Sequence, residues 1–470
     1  MRRKQTKIVA TISDLRCDTD FIKKLHDEGV DVIRLNTAHQ EIVDSLRVIK
    51  NIRKVSERIA ILIDTKGPEI RTSKAAGPIP LEKGDRITIV GGRRDDISTR
   101  ELVYVNYANF VKKIKVGTTI LMDDGELEFE VVNKIKNRIT CQAKNSGALK
   151  SYKTVNVPSI HFDLPSVSEK DREYIDFAIK YDIDFIAHSF VRNKADVQAI
   201  QNILDKHKSR IKIIAKIENR EGVDNLDEIL DVAHGVMVAR GDLGIEIPAE
   251  ELPLTQKEMI RKCLLRQKPV IVATQMMQSM TSHPRPTRAE VSDVANAVFD
   301  GADAIMFSAE TAQGSYPVET VQIAVKIIKE TEACADQYSR LPVPAIDKSI
   351  TGYLVKAAVE AARHLDIKEI IVGDETGFSA ELLASLRARI PVYVKSSNKR
   401  VVRELALTYG VNAHLVKNNT SREDFIKNLL TYLERKGKLN SRDKIVYLAG
   451  GSSKRAAANF MEICEVGKYI

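Results

Sequence analysis

The chain has 470 residues, 43% of them hydrophobic and 29% charged, and a formal net charge of +9. This length predicts two or three domains with sizeable cores, and the lack of any apolar run of about 18 residues predicts that no helix spans a membrane. The 73 basic residues are interspersed with 64 acidic ones and there is no Trp, so a small anionic substrate explains the positive excess at least as well as nucleic acid does.

The first part of the chain alternates short apolar segments with amphipathic helices. Two of these helices begin with capping-box pairs, Ser168 with Asp171 and Thr287 with Glu290. Alternation of this kind predicts a parallel sheet, and eight repeats are the number that closes a (β/α)8 TIM barrel. The predicted strands are residues 7–12, 32–36, 60–64, 184–189, 211–217, 235–239, 269–274 and 303–308.

Two other regions depart from the barrel pattern. Residues 70–157 contain strand-like segments separated by glycines, which predicts a small β-barrel-like domain inserted after the third strand, where it would form a lid over the barrel mouth. After the Pro-rich stretch SRLPVPAID, residues 343–470 alternate helix and strand again and predict an open α/β domain. The barrel is therefore assigned to residues 1–69 and 158–342.

Polar side chains follow most of the predicted strands at the face of the barrel where such folds place their active sites. They are Arg34, Asn36, Asp64, Ser189, Lys216, Glu218, Arg240, Asp242, Thr274, Ser308 and Glu310. A simpler explanation for these polar residues is that loops are polar in general. That explanation does not account for opposite charges that emerge together from almost purely apolar strands.

Lys216 and Glu218 lie two residues apart, so on a strand they face the same side. Glu218 and Asp242 follow adjacent strands, and two carboxylates with open positions between them suit Mg²⁺. Lys216 would supply positive charge to a phosphoryl group, since phosphoryl transfer depends on positioning and charge neutralisation. A buried structural ion pair is the alternative. Arg34 offers a bidentate fork for phosphate or carboxylate.

These patterns predict a Mg²⁺-dependent enzyme acting on a small phosphorylated acid, without choosing the reaction. In ARGDLG, the amides of Gly241 and Asp242 could bind a substrate carboxylate. His39 and His188 lack metal-ligand partners at suitable spacing and are interpreted as polar lining. The five scattered cysteines contain no CxxC pair, and the first apolar run is too short for a secretory signal, which together predict reduced thiols in a cytoplasmic protein.

Several motifs closely resemble those of the pyruvate kinase family. They are DTKGPEIRT (64–72), KIENREG (216–222), MVARGDLGIEIP (237–248), ATQMMQSM (273–280), HPRPTRAEVSDVANAVFDGADAIM (283–306) and SAET (308–311). The resemblance covers essentially the whole barrel, and the other two domains lie where that family has them. It implies glycolytic transfer of phosphate from phosphoenolpyruvate to ADP, giving pyruvate and ATP, with Mg²⁺ or Mn²⁺ and often K⁺, in a homotetramer.

The resemblance also implies roles for individual residues around the substrate. Glu218 and Asp242 match divalent-metal ligands, and Lys216 matches the lysine that stabilises the transferring phosphoryl group and the enolate oxygen. Gly241, Asp242 and Thr274 match the site for the substrate carboxylate. The remaining matches are Arg34 for the substrate phosphate, Ser308 and Glu310 for a proton relay, Asn36, Asp64 and Thr65 for K⁺, and Asn36, His39, Arg71 and Lys153 for the nucleotide.

The sequence departs from the family pattern in three places. Ala38 replaces a serine that supplies a K⁺ ligand, while Glu69 matches the K⁺-requiring branch, so we expect K⁺ dependence that is retained but weakened. Thr154 and Ser159 stand at glycine positions beside Lys153, and Ala309 replaces a glycine, which predicts altered lid closure.

The C-terminal turn GDETGFSA (373–380) lies where many members bind an effector phosphate. Asp374 and Glu375 would oppose an anion there, although Thr376, Gly377 and Ser379 could still bind one. We therefore expect the effector response to be absent or to differ from activation by fructose 1,6-bisphosphate. The loop AGGSSKRAAAN (449–459), with Lys454 and Arg455, could contribute to such a site.

Two other functions compete with this interpretation. A Mg²⁺-dependent lyase or mutase acting on phosphoenolpyruvate or 2-oxo acids could use the same barrel, but it would not need Arg71, Lys153 or a lid. The second alternative is a sensing protein that keeps the fold but has lost turnover. Intact ligand binding without turnover would favour this alternative.

Overall fold

The computed structural model describes most of the chain and contains three domains. The described residues are 4–92, 96–158, 160–338, 340–346, 348–388, 390–417, 421–450 and 458–469. Among the helices of these residues, none has both the length and the apolar character needed to cross a membrane.

Three parallel strands and two helices open the barrel. They are β1 (Lys7–Thr11), α1 (Thr19–Glu28), β2 (Val32–Asn36), α2 (Ile42–Val55) and β3 (Ala60–Asp64). The side chain of Asp18 caps α1 by accepting a hydrogen bond from the Phe21 amide at 2.8 Å. Gly29 ends the helix with a φ of 126°, a conformation that other residues rarely adopt. Every residue of β1 and β3 is buried, as in a strand covered on both faces.

An inserted β domain follows β3 and consists of antiparallel and short parallel pairings. Its elements are β4 (Ile79–Leu81), β5 (Arg86–Gly91), β6 (Leu102–Val105), α3 (Phe110–Lys113), β7 (Thr119–Met122), β8 (Leu127–Ile135), β9 (Arg138–Ala143), β10 (Gly147–Leu149) and β11 (Val155–Asn156). Six strands form one sheet in the order β11-β7-β8-β9-β5-β6. Along β8, Leu127, Phe129 and Val131 are buried while Glu128 is exposed, the alternation of a half-buried strand.

The chain then returns to the barrel and completes it. The elements are α4 (Glu169–Lys180), β12 (Phe185–His188), α5 (Lys194–Lys206), β13 (Lys212–Ile217), α6 (Arg220–Asp224), α7 (Leu226–Val232), β14 (Gly235–Ala239), α8 (Arg240–Glu246), α9 (Leu252–Leu265), β15 (Val270–Ala273), α10 (Arg288–Phe299), β16 (Ala304–Phe307), α11 (Ala309–Ala312) and α12 (Pro317–Tyr338). Eight parallel strands close in the order β1-β16-β15-β14-β13-β12-β3-β2, which confirms the predicted barrel. Val9, Leu62, Phe185, Ile214 and Met306 belong to the buried cluster that fills its interior.

The C-terminal domain is an open α/β sheet, as predicted. Its elements are α13 (Ile350–His364), β17 (Ile367–Gly373), α14 (Phe378–Ser385), β18 (Val392–Ser396), α15 (Lys399–Glu404), β19 (Val411–Leu415), α16 (Arg422–Arg435), β20 (Lys444–Gly450) and β21 (Ala458–Glu465). It is joined to the barrel by buried ion pairs, Arg403 to Asp184 at 2.5 Å and Arg387 to Asp303 at 2.9 Å. These aspartates directly precede β12 and β16, so this domain covers the amino ends of the barrel strands, opposite to the polar strand ends.

Candidate active site

Asp64, the last residue of β3, lies at the centre of a buried charged cluster. One carboxylate oxygen accepts a hydrogen bond from Arg34 Nε at 2.7 Å, and the other accepts one from Lys216 Nζ at 2.9 Å and lies 3.2 Å from Ser189 Oγ. Burial alone would raise the pKa of Asp64, but the charges of Arg34 and Lys216 outweigh it and lower that pKa below its ordinary value. Barrel closure thus joins side chains from β2, β3 and β13 and from the residue that follows β12.

Lys216 is held by three oxygen atoms. Its Nζ lies 2.9 Å from Asp64 Oδ1, 2.7 Å from Ser189 Oγ and 2.9 Å from Glu218 Oε1. Burial disfavours the ammonium, but attraction to Asp64 and then to Glu218 outweighs burial, and the pKa of Lys216 is raised. Lys216 is therefore a fixed positive charge at neutral pH, and its shared direction with Glu218 is the one predicted from their spacing.

Glu218 is fixed by the loop that follows β12. Its Oε2 accepts a hydrogen bond from the Phe190 amide at 2.7 Å. Gly67 allows this loop to approach, because a Cβ at that position would lie 2.7 Å from the Phe190 ring and 2.8 Å from Ser189 Cβ. The φ of Gly67 is also positive, at 71°. The glycine of DTKGPEIRT thus permits close packing of two strand-end loops.

Glu218, which is buried, and Asp242, which is half-buried, form a pair of carboxylates at the ends of β13 and β14. Burial raises the pKa of Glu218, with repulsion from Asp242 adding to the effect and attraction to Lys216 opposing it. Burial likewise raises the pKa of Asp242. The positive charge near the two carboxylates therefore does not fully compensate them, and a divalent cation would supply the rest. The described residues contain no group of three or more His, Cys, Asp and Glu side chains that could hold a metal ion, so only a site completed by substrate and water oxygens fits.

Thr274 follows β15 in a conformation that is rare for a β-branched residue. Its φ is 66°. Its hydroxyl accepts a hydrogen bond from the Gly241 amide at 2.8 Å and donates one to the Ala273 carbonyl at 2.6 Å. Arg240 donates to the Thr274 carbonyl at 2.7 Å. Strain at this position is thus maintained by contacts from α8, and Thr274 and Gly241 are brought together.

Glu310 connects the loops that follow β15 and β16. Its carboxylate accepts hydrogen bonds from the Ser308 amide at 2.7 Å and the Met277 amide at 3.2 Å, and the side chain is fully buried. Glu310 therefore fixes the backbone of Ser308, the last residue before α11.

The candidate nucleotide residues Arg71 and Lys153 lie on neighbouring segments of the inserted β domain, where Arg71 pairs with Thr154 in an antiparallel bridge. Arg71 donates to Glu69 at 2.8 Å and to the Tyr152 carbonyl at 2.8 Å. Lys153 pairs with Asp123 at 2.7 Å. Burial alone would lower the pKa of Arg71, but the hydrogen bond and the charge of Glu69 outweigh it and raise that pKa, with a smaller contribution from the charge of Asp242. This guanidinium therefore lies within electrostatic range of the carboxylate pair.

The candidate K⁺ residues lie at the ends of β2 and β3. Asn36 Oδ1 accepts from the Ala38 amide at 3.1 Å, and the Thr65 carbonyl accepts from Ser189 Oγ at 2.6 Å. His39, by contrast, is exposed. Ser159, the second of the two altered glycine positions beside Lys153, lies outside the described residues.

Two further polar groups contact the cluster, of which sequence reasoning identified only one. Ser189, one of the residues predicted at strand ends, contacts both Lys216 and Asp64, and Thr11 accepts a hydrogen bond from Arg34 at 2.9 Å. Thr11 was missed although it is the last residue of β1, and its position at the carboxyl end of a barrel strand is the signal that could have identified it.

The turn predicted to oppose an effector phosphate already contains an anion. Asp374 accepts hydrogen bonds from the amides of Thr376 at 2.9 Å, Gly377 at 2.8 Å and Ala380 at 3.2 Å. Its carboxylate occupies amides that could otherwise face a ligand. The residues Lys454 and Arg455 of the later loop lie outside the described residues.

Comparison with known proteins agrees with this geometry. The family model described as pyruvate kinase, barrel domain, matches residues 3–321, and the model described as pyruvate kinase, alpha/beta domain, matches residues 353–464. A pyruvate kinase of Borreliella burgdorferi is 47% identical, over 100% of this chain and 99% of that protein. One from Bacillus licheniformis is 42% identical, over 99% of this chain and 81% of that protein. A crystal structure of a pyruvate kinase from Cryptosporidium parvum superposes with a TM-score of 0.90 at 35% identity, covering 98% of this chain and 96% of that one.

Proposed function

The chain belongs to the pyruvate kinase family, and on that premise we propose that the cluster around Lys216 carries the phosphoryl transfer. As a glycolytic pyruvate kinase, it breaks the bond between the phosphorus and the enol oxygen of phosphoenolpyruvate. The phosphorus bonds to an oxygen of the ADP β-phosphate, and the enolate takes up a proton to give pyruvate. The observation that carries the assignment is the Lys216 ammonium, 2.9 Å from both Asp64 and Glu218.

Lys216 and Arg34 supply positive charge to the phosphoryl group. Both are buried, so their charges are less screened by water than charges at the surface. Asp64 contacts both and fixes their separation, while Ser189 orients the Lys216 ammonium. The transfer needs positioning and charge neutralisation more than covalent chemistry, and this cluster provides both.

We assign Glu218 and Asp242 as the ligands of Mg²⁺ or Mn²⁺. When bound, the cation would neutralise substrate oxygens and orient the phosphoryl group. The two residues present carboxylates whose raised pKa values indicate a shortage of positive charge. Phe190 holds Glu218 from its other side at 2.7 Å, so the carboxylate is oriented before any ligand binds.

The substrate carboxylate is assigned to Gly241, Asp242 and Thr274. A Cβ on Gly241 would meet Thr274 at 3.7 Å, an ordinary contact, so neighbouring protein atoms do not require glycine there. Close approach of a ligand to this backbone gives a reason for it, with the Gly241 amide exchanging its present bond to the Thr274 hydroxyl for one to the ligand carboxylate, beside the Asp242 amide. Ser308 and Glu310 are assigned to the proton relay, in which Glu310 acts by positioning Ser308.

The nucleotide is assigned to Arg71 and Lys153 of the lid, together with Asn36 and His39. Arg71 and Lys153 belong to the proposed lid, residues 70–157. To bind the nucleotide phosphates, Arg71 would leave Glu69 and Lys153 would leave Asp123.

We assign K⁺ to Asn36, Asp64 and Thr65 and propose that it binds weakly. Ala38 offers no side-chain oxygen, and Asp64 is already compensated by Arg34 and Lys216. A K⁺ ion would therefore receive less electrostatic stabilisation from Asp64 than from a carboxylate that has no ion-pair partner. The expected cytoplasmic location and homotetrameric assembly stay predictions, which cell fractionation and size-exclusion chromatography would test.

The test is a coupled assay for pyruvate from phosphoenolpyruvate and ADP, with and without Mg²⁺ and K⁺. The assignment predicts turnover that requires the divalent cation, that falls sharply in Glu218→Gln and Asp242→Asn, and that rises modestly with K⁺. Consumption of phosphoenolpyruvate without ATP formation would instead favour the lyase, and ligand binding without turnover would favour the sensor.

A further inference from the structure

The loop after β2, residues 37–41, contains one residue that the proposed function assigns to the nucleotide and directly follows another. These residues are His39 and Asn36. Within the loop, Thr37 and Gln40 are buried, whereas His39 between them is exposed. The loop is therefore anchored on either side of a residue that reaches solvent, at the carboxyl ends of the barrel strands.

The first anchor of this loop is Thr37. Its amide and its hydroxyl both donate hydrogen bonds to the Asp64 carbonyl, at 3.2 Å and 2.8 Å. Asp64 ends β3, which pairs with β2 so that Asp64 lies opposite Asn36. The start of the loop is thus held by the neighbouring strand.

The second anchor is the side chain of Gln40, which is 4% exposed. Its Nε2 donates to the Ile12 carbonyl at 2.8 Å, and its Oε1 lies 3.4 Å from Ser45 Oγ. Ile12 directly follows β1, and Ser45 lies in the first turn of α2. Glu41, the N-cap residue of α2, forms no side-chain capping bond, so Gln40 supplies the link between this end of the loop and the end of β1.

The backbone of Gln40 is also held by α4. The Tyr174 hydroxyl donates to the Gln40 carbonyl at 2.5 Å, and burial raises the pKa of Tyr174 above its ordinary value, so this hydroxyl stays protonated at neutral pH. One turn earlier, Asp171 accepts a hydrogen bond from the Lys66 amide at 2.9 Å. Residues three apart share one face of a helix, and this face of α4 therefore contacts the loops after both β2 and β3.

The residue assigned to the substrate phosphate does not depend on these contacts. Arg34, on the same strand, is held by the Asp64 carboxylate at 2.7 Å and by the Thr11 hydroxyl at 2.9 Å. Neither group belongs to residues 37–41. Loss of the anchor at Gln40 would thus leave Arg34 in place and affect the nucleotide alone.

We propose that Gln40 and Tyr174 are positioning residues for the nucleotide. They fix the far end of the loop, so that Asn36 and His39 are already in place when ADP binds. Ordering the loop in advance reduces the conformational entropy that is lost on binding. This inference rests on the assignment of Asn36 and His39 to the nucleotide in the proposed function.

The test compares the full-length variants Gln40→Met and Tyr174→Phe with the control Tyr181→Phe. Tyr181 follows the last residue of α4, and its hydroxyl forms no hydrogen bond within the described part of the chain. The KM values for ADP and for phosphoenolpyruvate are measured separately, binding of ADP with Mg²⁺ is measured by calorimetry, and urea unfolding shows whether each variant is folded.

Gln40→Met and Tyr174→Phe should each raise the KM for ADP and weaken ADP binding by about threefold to tenfold, the contribution of one hydrogen bond between uncharged groups. The kcat at saturating ADP and the KM for phosphoenolpyruvate should stay the same, and Tyr181→Phe should match the unmodified protein. Unchanged ADP binding in folded Tyr174→Phe, or an equal rise in both KM values, would overturn the inference. Absence of turnover in the unmodified protein would contradict the proposed function instead, and the ADP titrations would still decide the role of the two residues.

Discussion

Replacing Ser189 with alanine tests whether its hydroxyl positions Lys216. The substitution removes an acceptor 2.7 Å from Lys216 Nζ and a donor 2.6 Å from the Thr65 carbonyl. A hydrogen bond to a charged group contributes about 1.5–3 kcal/mol. Because about 1.4 kcal/mol corresponds to a factor of ten in rate, kcat should fall about tenfold to a hundredfold if the whole contribution acts in the transition state. The KM for ADP should change little, because Ser189 directly follows β12 of the barrel and does not belong to the proposed lid.

The assay is steady-state kinetics of pyruvate formation for Ser189→Ala and for Ser189→Thr, which retains a hydroxyl. Ser189→Thr should recover most of the lost kcat, and urea unfolding should show that both variants are folded. A kcat within a factor of two of the unmodified enzyme for Ser189→Ala, or equal losses in both variants, would refute the positioning role.

Three further predictions address the loops, the monovalent ion and the effector turn. Gly67→Ala should lower the free energy of unfolding by about 2–4 kcal/mol, because its Cβ would lie 2.7 Å from the Phe190 ring at a φ of 71°; a change below about 0.5 kcal/mol in urea titration would contradict this. Ala38→Ser should lower the K⁺ concentration for half-maximal rate, and an unchanged requirement would remove Ala38 from the account. Fructose 1,6-bisphosphate should leave the phosphoenolpyruvate saturation curve nearly unchanged, because Asp374 occupies the amides of its turn; a strong shift of the curve in a dose series would show the opposite.

The barrel and several parts of the site follow from sequence periodicity and spacing. Eight apolar segments separated by helices predict the closed sheet, and the two-residue spacing of Lys216 and Glu218 predicts their common direction. Position at a strand end also brings Arg34 and Asp64 into the same region. These inferences succeed because they depend on local strand geometry and on one topological rule, namely that the carboxyl ends of all the barrel strands lie on the same face.

Other features depend on long-range contacts that spacing does not specify. Asp64 contacts Arg34 and Lys216 because barrel closure sets the distances between three strands. The positive φ of Thr274 is maintained by hydrogen bonds to residues 240 and 241. The hydrogen bond from Tyr174 to the Gln40 carbonyl likewise arises only from the packing of α4 against the loop after β2. No single stretch of sequence contains the information for any of these three.

The central claim is that Lys216 neutralises charge in the transition state, and the most direct test is Lys216→Ala. Single-turnover rates of phosphoryl transfer should be measured alongside equilibrium binding of Mn²⁺ and phosphoenolpyruvate, with Lys50→Ala as the exposed control. The account predicts that transfer is abolished in Lys216→Ala while Mn²⁺ and substrate still bind, and that Lys50→Ala behaves as the unmodified enzyme. The account would be contradicted if the Lys216→Ala rate stayed within about tenfold of that of the unmodified enzyme, because this corresponds to a loss of transition-state stabilisation below about 1.4 kcal/mol.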